Sequence, residues 1–315
     1  MQGANPRPKL TGNRHPRKPK ILARDIRADE GCHDQLKRYL QGMTNEIPVT
    51  LTIAGSDCSA GAGIQADLKT FQHFRVHGLT AVTCVVSETA NVVRAVHPVP
   101  VDIVSDQISI LLDSFPVVAL KTGMLFSAAH VAAVADILRD HPSVQRVIDP
   151  VMIASTGAPL LQADALAVYR ESLLPLATLI TPNLPEAEVL LGELIPDAAA
   201  MEGAARRLAE MFGTAILLKG GHLAGPACLD LLVDRGRVYR FTVPRIPVRG
   251  SHGTGCTLSA AVTAALAHGK SLPEAVELAK TYLGECLRRS HGFQAPGGSI
   301  IHALDQGTTF VKNET

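Results

Sequence analysis

A thiol, a glycine-rich turn and a helix start coincide in the stretch HGTGCTLSAA. Its glycines, Gly253 and Gly255, allow the backbone to approach an anion without interference from Cβ atoms. The alanine-rich segment 254–267 predicts a helix whose first N–H groups and positive dipole end face the turn. Such a site binds anions and could hold the charge on a phosphoryl group during transfer. We expect a lowered pKa for the Cys256 thiol at this position. A helix-capping turn with an inert buried cysteine is the alternative.

A second loop of small residues, AGSDCSAGAGIQAD, connects a predicted strand to a predicted helix. Its glycines, Gly55, Gly61 and Gly63, lack the GxGxxG spacing of a dinucleotide-binding loop, but such a loop can wrap closely around a small ring. Asp67 stands one turn into the predicted helix and could accept a hydrogen bond from a ligand hydroxyl. An ordinary capping or i,i+4 interaction is the alternative for Asp67.

Further polar side chains follow other predicted strands. In TPNLPEAEVL the amide of Asn183 and the carboxylate of Glu186 could hold waters around Mg²⁺, which keeps part of its hydration shell. The same residues fit ordinary helix N-terminal chemistry, with Pro185 at the first helical position. Asp149 in VIDPVM adds a second acidic group near this edge. Lys219, which two glycines follow in LLKGGH, is a candidate phosphate contact.

The hydrophobic pattern alternates between strand-like and helix-like segments, and the strands are apolar on both faces. This is typical of one α/β domain with a parallel sheet covered on both sides. In such sheets ligands bind at the carboxyl ends of the strands, where we expect all of these motifs to meet. Strands are predicted at 49–54, 81–86, 117–122, 144–148, 179–181, 215–219, 229–233 and 238–243. Helices are predicted at 32–43, 63–74, 101–115, 128–139, 163–174, 202–212, 254–267 and 272–290.

Composition narrows the function classes. The 315 residues carry a formal net charge of +1, so bulk electrostatics predict neither a nucleic-acid nor a membrane partner. The six cysteines form no CxxC pair. We therefore expect no disulfide framework or zinc site, and a reducing cytoplasm as the setting. Residues 1–21 are rich in Pro, Arg and Lys and predict a disordered, solvated arm, with RNA contact as the alternative.

The motifs, taken in order, resemble the hydroxymethylpyrimidine/phosphomethylpyrimidine kinases of thiamine biosynthesis, within the ribokinase superfamily. The residues that carry the resemblance span 49–293 and read AGSDxSxGAGIQADLKTF, KTGML, DPVM, TPNLPEAE, LLKGGH and HGTGCTLSAA. The resemblance implies a ribokinase-like three-layer α/β/α sandwich with a mostly parallel sheet, and a homodimer. It implies ATP and Mg²⁺, and two phosphorylations that convert 4-amino-5-hydroxymethyl-2-methylpyrimidine to its monophosphate and then to the diphosphate. The kinase domain would span 47–295, between an arm at 1–46 and a tail at 296–315.

The resemblance also implies roles for individual residues. Cys256 would be the base for the substrate hydroxymethyl group, within an anion hole formed with Gly253, Thr254 and Gly255. The pyrimidine pocket would be formed by Gly55, Ala62, Asp67, Glu88, Met124 and Val151. The ATP phosphates would lie near Lys219, Thr254 and Asn183, and Mg²⁺ would be organised by Asn183, Glu186 and Asp149.

One pocket position departs from the family pattern. The family usually has Gln in a stretch like TAQNT, whereas this chain reads VSETANVV and has Glu88 there. An amide both donates and accepts hydrogen bonds, whereas an ionised carboxylate only accepts. Glu88 can still accept from the 4-amino group of the pyrimidine, but it donates to a ring nitrogen only when it is protonated.

Three alternatives compete with this interpretation. The first is a pyridoxal (vitamin B6) kinase, but the cysteine-using branch of those enzymes has a second Cys after DPVM, and here 153–159 reads IASTGAP. The second is a non-catalytic regulator that binds the pyrimidine, which the intact anion-hole and NxxE motifs disfavour. The third is a thiol hydrolase that pairs Cys256 with His252. The tight turn between them disfavours that pair, and no third member is evident.

Overall fold

The computed structural model describes residues 47–152, 160–162, 164–221, 223–247 and 252–307. The predicted arm, the predicted helix 32–43 and the loop 153–159 lie outside them. The strands are β1 (Val49–Asp57), β2 (His77–Thr89), β3 (Val92–Pro98), β4 (Val117–Thr122), β5 (Gln145–Ile148), β6 (Leu179–Ile180), β7 (Ala215–Lys219), β8 (Ala227–Asp234), β9 (Arg237–Pro244), β10 (His291–Gln294) and β11 (Ile300–Ala303). The helices are α1 (Gly63–His73), α2 (Val101–Ser114), α3 (Ala128–Arg139), α4 (Ala165–Val168), α5 (Leu184–Leu191), α6 (Ala198–Phe212), α7 (Thr254–Ala267) and α8 (Leu272–Arg288).

Strands β1 to β9 form one sheet in the order β3-β2-β1-β4-β5-β6-β7-β8-β9. Strands β2, β1, β4, β5, β6 and β7 are parallel to one another. Strands β3 and β8 pair antiparallel with β2 and β7. Strand β9 is antiparallel to β8, so it points in the same direction as β7. The structure confirms the predicted mostly parallel α/β sheet. It also brings the chain after β9 to the edge where the parallel strands end.

Helices cover both faces of the sheet, which completes three layers. On one face, α2, α3, α4, α5 and α6 pack into a continuous apolar core. On the other face, α7 and α8 form a second core, and α1 packs against α7. No helix within the described ranges has the length and apolar character needed to cross a bilayer.

Helix α7 is the most enclosed helix of the second layer. Every residue from Thr257 to Leu266 is buried, because the sheet, α1 and α8 surround the helix. Most of these residues are Ala, Ser or Thr, whose small side chains allow neighbouring backbones to approach closely. The position of the α7 N-terminus is therefore fixed by packing on all sides.

The structure differs from the sequence prediction at several elements. Strand β3 and helix α5 were not predicted, and the predicted helix 163–174 is a short α-helix continued by a π-helical and a 3₁₀ turn. The hairpin of β10 and β11 follows the last helix. Leu304 and Gln306, which lie beyond it, are both buried. Residues beyond the predicted boundary at 295 therefore also pack into the described structure, at least to Gln306.

Candidate active site

The predicted site residues meet at the carboxyl edge of the parallel sheet. Gly55 lies near the end of β1, Met124 follows β4, and Asp149 follows β5. Asn183 follows β6 and forms an isolated bridge with Lys219, the last residue of β7. The glycine-rich turn before α7 lies at the same edge, because β9 points the same way as β7.

The anion-hole turn is built around two glycines. Gly253 is the N-cap of α7 with φ of +79°, and a Cβ there would lie 1.9 Å from the carbonyl oxygen of Gly61. No other residue fits that contact. A Cβ on Gly255 would lie 3.5 Å from Lys219 Nζ and 3.6 Å from Asp149 Oδ2. The turn thus places a helix N-terminus directly beside a lysine ammonium group, as an anion site requires.

Lys219 and Asp149 form a buried ion pair of 2.9 Å. The Asp149 carboxylate also accepts from Thr181 Oγ1 at 2.9 Å and from Ser259 Oγ at 3.3 Å. Burial acts to raise the pKa of Asp149, but the charges of Lys219 and Lys121 outweigh it and hold the pKa below its usual value. Asp149 is therefore the counter-ion of Lys219. Its role as a metal ligand stays a prediction, and its oxygens already accept hydrogen bonds from these side chains.

Asn183 and Glu186 form a capping box at the start of α5. Asn183 Oδ1 accepts from the Glu186 N–H at 2.9 Å, and Glu186 Oε2 accepts from the Asn183 N–H at 2.8 Å. The helix-terminal interpretation is therefore correct as far as local structure goes. Burial raises the pKa of Glu186 to about 7, and the nearby Asp149 carboxylate adds to this while Lys219 opposes it.

The donor set fits a Mg²⁺ ion held through waters. No cluster of three or more His, Cys, Asp or Glu side chains suited to a metal occurs among the described residues. Mg²⁺ does not need one, because it commonly uses one or two carboxylates and keeps several waters. The buried Glu186 carboxylate has an unfavourable charged form that a nearby cation would stabilise.

The loop after β1 is organised by Asp57, which sequence reasoning did not single out. Burial acts to raise the pKa of Asp57, but hydrogen bonds from His252, Ser59 and Ala62 outweigh it and lower the pKa to about 2. The donors to this carboxylate are Ser59 N at 2.7 Å, Ser59 Oγ at 3.0 Å, Gly61 N at 3.1 Å, Ala62 N at 2.8 Å and His252 Nε2 at 2.8 Å. The available signal was an Asp followed two residues later by Ser in a glycine-rich loop, which is typical of a side chain that bonds the following backbone.

The predicted pocket residues share one small apolar cluster. Met124 packs with Cys84 and Val86, and Val151 packs against them. A Cβ on Gly55 would lie 2.8 Å from Cys84 Sγ, so glycine there lets the cluster close against β1. The structure thus brings Gly55, Met124 and Val151 together, with Ala62 nearby at the start of α1.

Glu88 lies on β2, beside the loop that Asp57 organises. Burial raises the pKa of Glu88, and the Asp57 carboxylate adds to this effect while His252 opposes it. Its backbone is tied to Cys58, whose Sγ accepts from Glu88 N at 3.3 Å and donates to Glu88 O at 3.2 Å. Because its pKa is raised, a larger fraction of the Glu88 carboxyl group is protonated at a given pH. That form can donate to a ring nitrogen as well as accept.

Asp67, a predicted pocket residue, forms a buried ion pair with Lys121. Its side chain is fully buried and accepts hydrogen bonds from Thr52 Oγ1 at 2.6 Å and from Lys121 Nζ at 2.9 and 3.0 Å. Lys121 is fully buried too. The lone lysine in the apolar segment VVALKT was a signal that a carboxylate must neutralise it, because a buried charge needs a partner.

The Cys256 thiol has a raised pKa, not the lowered one predicted. Burial raises it to about 11, and the carboxylates of Asp67 and Asp149 add to this, whereas Lys121 and a hydrogen bond from the Gly63 N–H oppose it. His252 Nε2 is directed to Asp57, so the structure gives no support to a thiol–histidine hydrolase.

The sequence relatives of this chain are kinases. A family model described as phosphomethylpyrimidine kinase matches residues 57–300. The hydroxymethylpyrimidine/phosphomethylpyrimidine kinase of Haemophilus influenzae is 43% identical over 243 residues, which are 76% of this chain and 90% of that protein. The thiamine biosynthesis bifunctional protein ThiED of Geobacter sulfurreducens is 42% identical over 81% of this chain, and the chain spans about half, 52%, of that longer protein.

Solved structures give the same picture of the fold. The ADP complex of Bacillus subtilis pyridoxal kinase matches with a TM-score of 0.75 and 34% identity, over 83% of this chain and 98% of that one. A phosphomethylpyrimidine kinase from Clostridium difficile matches with a TM-score of 0.68 and 37% identity, over 76% of this chain and 99% of that one.

We expect Asp67→Ala to lower the free energy of unfolding by about 3–5 kcal/mol, because it leaves the Lys121 ammonium buried without a counter-charge. Urea unfolding measures this. The double variant Asp67→Ala/Lys121→Met should lose much less than the sum of the two single variants. The exposed Glu285–Arg288 pair is the control, and Glu285→Ala should cost less than about 1 kcal/mol. An equal loss in the free energy of unfolding for Asp67→Ala and Glu285→Ala would contradict the buried-pair argument.

Proposed function

Because the chain belongs to the phosphomethylpyrimidine kinase family, we propose that it phosphorylates 4-amino-5-hydroxymethyl-2-methylpyrimidine with ATP, and then phosphorylates the monophosphate to the diphosphate. The protein is a phosphotransferase of thiamine biosynthesis. The second activity of longer bifunctional relatives is not carried over, because this chain spans only about half of such a protein. We further propose that it works in the cytoplasm as a homodimer, as its family resemblance implies.

The observation that carries the proposal is the packing of Gly255 against the Lys219–Asp149 pair, one residue before Cys256. This arrangement places a helix N-terminus, an ammonium group and a thiol at one point. Phosphoryl transfer needs positioning and the neutralisation of charge on the transferring oxygens more than it needs covalent chemistry. Both requirements are met at the turn that Gly253, Thr254, Gly255 and Cys256 form.

We assign the pyrimidine to the pocket formed by Gly55, Ala62, Met124 and Val151, with Glu88 at its polar side. The apolar cluster offers the ring a face to pack against, and Glu88 reads the 4-amino edge. The buried ion pair between Asp67 and Lys121 lies behind the pocket residues and holds α1 against the sheet. In this arrangement the hydroxymethyl group of the substrate faces Cys256.

The transfer step follows from these positions. The hydroxymethyl oxygen forms a bond to the γ-phosphorus of ATP as the bond to the ADP oxygen breaks, and Cys256 Sγ, in its thiolate form, takes the hydroxyl proton. The N–H groups at the α7 N-terminus and the Lys219 ammonium group stabilise the charge on the transferring group. For the second phosphorylation the acceptor is an oxygen of the monophosphate.

ATP and Mg²⁺ complete the proposal. A pyridoxal kinase of the same fold has been crystallised with ADP, which supports a nucleotide site here, near Lys219, Thr254 and Asn183. Glu186 and Asn183 would hold Mg²⁺ through its waters, and the ion would supply further charge neutralisation at the phosphates.

Pyridoxal is the second candidate substrate, because the fold also matches a pyridoxal kinase over 83% of this chain. A coupled ADP-release assay with the hydroxymethylpyrimidine, its monophosphate and pyridoxal side by side decides between them. We expect both pyrimidines to give a much larger kcat/KM than pyridoxal. The opposite ranking would overturn the proposed substrate.

We expect Cys256→Ala to fold and bind ATP but to lose about 10²–10⁴-fold in kcat, the usual contribution of general-base catalysis. Since burial raises the thiol pKa to about 11, the thiolate fraction and kcat/KM of the wild type should rise about tenfold per pH unit between pH 7 and 9, in the limit where this proton controls the rate. The variant should show no such rise. Cys286→Ala removes another buried thiol, on α8, and should keep kcat. Wild-type turnover by Cys256→Ala would make the thiol structural.

We expect Glu186→Gln to raise the Mg²⁺ concentration that gives the half-maximal rate, because a neutral amide binds the hydrated ion less strongly. Glu274→Gln is the matched control, since Glu274 occupies the same position in the capping box of α8. Both variants should lose a little stability, but only Glu186→Gln should change the Mg²⁺ titration. An identical titration for both would reduce Glu186 to a helix cap.

Glu88→Gln should retain kinase activity, because Gln is the residue usual in the family. It should flatten the dependence of substrate KM on pH, since the amide does not titrate whereas Glu88 has a raised pKa. Pyrimidines without the 4-amino group should bind poorly to the wild type. If Glu88→Ala changes KM by less than about twofold, or 0.5 kcal/mol, Glu88 does not read the substrate.

A further inference from the structure

We propose that His252 and Asp57 form a clamp that holds the substrate loop, residues 57–62, and the anion-hole turn, residues 252–256, as one unit. His252 is then a positioning residue for phosphoryl transfer. The inference rests on the function proposed above, because it concerns the same site. It assigns a role to two residues that neither touch the reacting atoms nor bind the metal in that proposal.

The first argument is the hydrogen bond between the two loops. His252 Nε2 lies 2.8 Å from Asp57 Oδ2, and the side chains are only 11% and 1% exposed. The pKa of Asp57 is lowered to about 2, so this carboxylate is ionised at neutral pH and only accepts. His252 therefore donates through Nε2. The same carboxylate accepts from the backbone of Ser59, Gly61 and Ala62, so one group fixes the loop and the histidine together.

The second argument is steric fit. A Cβ on Gly61 would lie 2.5 Å from His252 Cδ2, closer than real Cβ contacts allow, and 3.1 Å from Nε2, which is a tight contact. Gly61 has no positive φ, so it is required for the histidine ring and not for its own backbone. On the other side, Gly253 lies against the carbonyl of Gly61. The two loops meet backbone to backbone, with the imidazole ring packed against the contact.

The third argument is that other bonds repeat the same connection. Gln306 Nε2 donates to Thr257 Oγ1 at 2.9 Å and lies 3.5 Å from the Gly61 carbonyl oxygen. Gln306 is itself held by Tyr282, whose hydroxyl donates to the Gln306 carbonyl at 3.1 Å. These bonds keep the two loops close when the clamp is cut, so its loss should shift the geometry without unfolding the site.

The expected consequence is a loss in kcat with little change in binding. In the proposed function the substrate loop positions the substrate, whose hydroxymethyl oxygen is the acceptor, and the turn provides Cys256 and the anion hole. The relative position of the two loops therefore sets the geometry of the attack on the γ-phosphorus. A misplacement of about 1 Å can cost on the order of a hundredfold in rate. The ATP contacts proposed at Lys219 and Asn183, and the pyrimidine contacts proposed at Gly55, Met124 and Val151, lie outside both loops, so we expect binding to be largely retained.

A double-mutant cycle tests this proposal. His252→Ala and Gly61→Ala should each lower kcat by about ten- to a hundredfold, with KM for ATP and for the pyrimidine changed by less than about threefold. The Gly61→Ala effect should nearly disappear in the His252→Ala background, because the ring it clashes with is gone. His252→Gln, whose side-chain amide can still donate to Asp57, should recover most of kcat.

His268→Ala is the matched control. His268 lies at the other end of α7 and contacts the Phe74 carbonyl oxygen at 2.8 Å through its Nε2. This variant should keep kcat. The clamp is refuted if His252→Ala keeps kcat within about twofold and only lowers the melting temperature. It is also refuted if the effects of His252→Ala and Gly61→Ala on kcat simply add in the double variant.

Hydrogen–deuterium exchange separates this proposal from the proposed function. In His252→Ala the backbone amides of both loops, 57–62 and 252–256, should exchange faster, while His268→Ala should leave them unchanged. A wild type that phosphorylates none of the tested substrates would refute the proposed function, and the exchange data would still decide the clamp. Unchanged exchange in the substrate loop of His252→Ala would refute the clamp even in an active kinase.

Discussion

The burial of helix α7 on all sides is the constraint on which the rest of the site depends. Packing against the sheet, α1 and α8 fixes the position of the helix. The turn before it is fixed as well, because it is attached to the helix N-terminus. The sheet separately fixes Lys219, Asp149 and the loop after β1, because the parallel strands end at one edge. The site forms where these two rigid parts meet, so little of its geometry is left to loops alone.

The enclosed lysines near this edge each pair with an aspartate. Lys121 pairs with Asp67, Lys219 pairs with Asp149, and Lys280 pairs with Asp230. The last pair also positions the loop after β7, because Asp230 accepts from the Gly220 N–H at 2.9 Å. Pairing prevents the large desolvation cost of a lone buried charge, and each lysine is held at a defined place. The Lys219 ammonium group is therefore held in place before a ligand binds, and preorganised charge of this kind lowers a barrier effectively.

The sequence predicts most of this fold and the residues of the site, but not their electrostatics. Buried strands such as β4 and β7 carry a clear apolar signal, and their predicted bounds match the structure. Strand β3 and the β10–β11 hairpin are short and largely exposed, so burial imposes no continuous apolar pattern on them, and their few apolar residues were not enough to predict them. The Cys256 thiol shows the deeper limit. A helix N-terminus predicts a lowered pKa, yet burial of the thiol raises it, and the carboxylates of Asp67 and Asp149 add to this. Only the folded chain brings these groups together, as it does Asp67 and Lys121, which are 54 residues apart.

The bonds across the site join opposite ends of the domain. Asp57 and His252 are 195 residues apart, and Gly61 and Gln306 are 245 residues apart. During synthesis the substrate loop leaves the ribosome long before the turn that must face it. Most of the sheet can pair before that turn exists, so a nascent chain that has not reached residue 252 lacks the proposed anion hole. Contacts of such long range also form late in folding, because closing the intervening chain costs entropy first. The two loops are therefore brought together after the strands that support them.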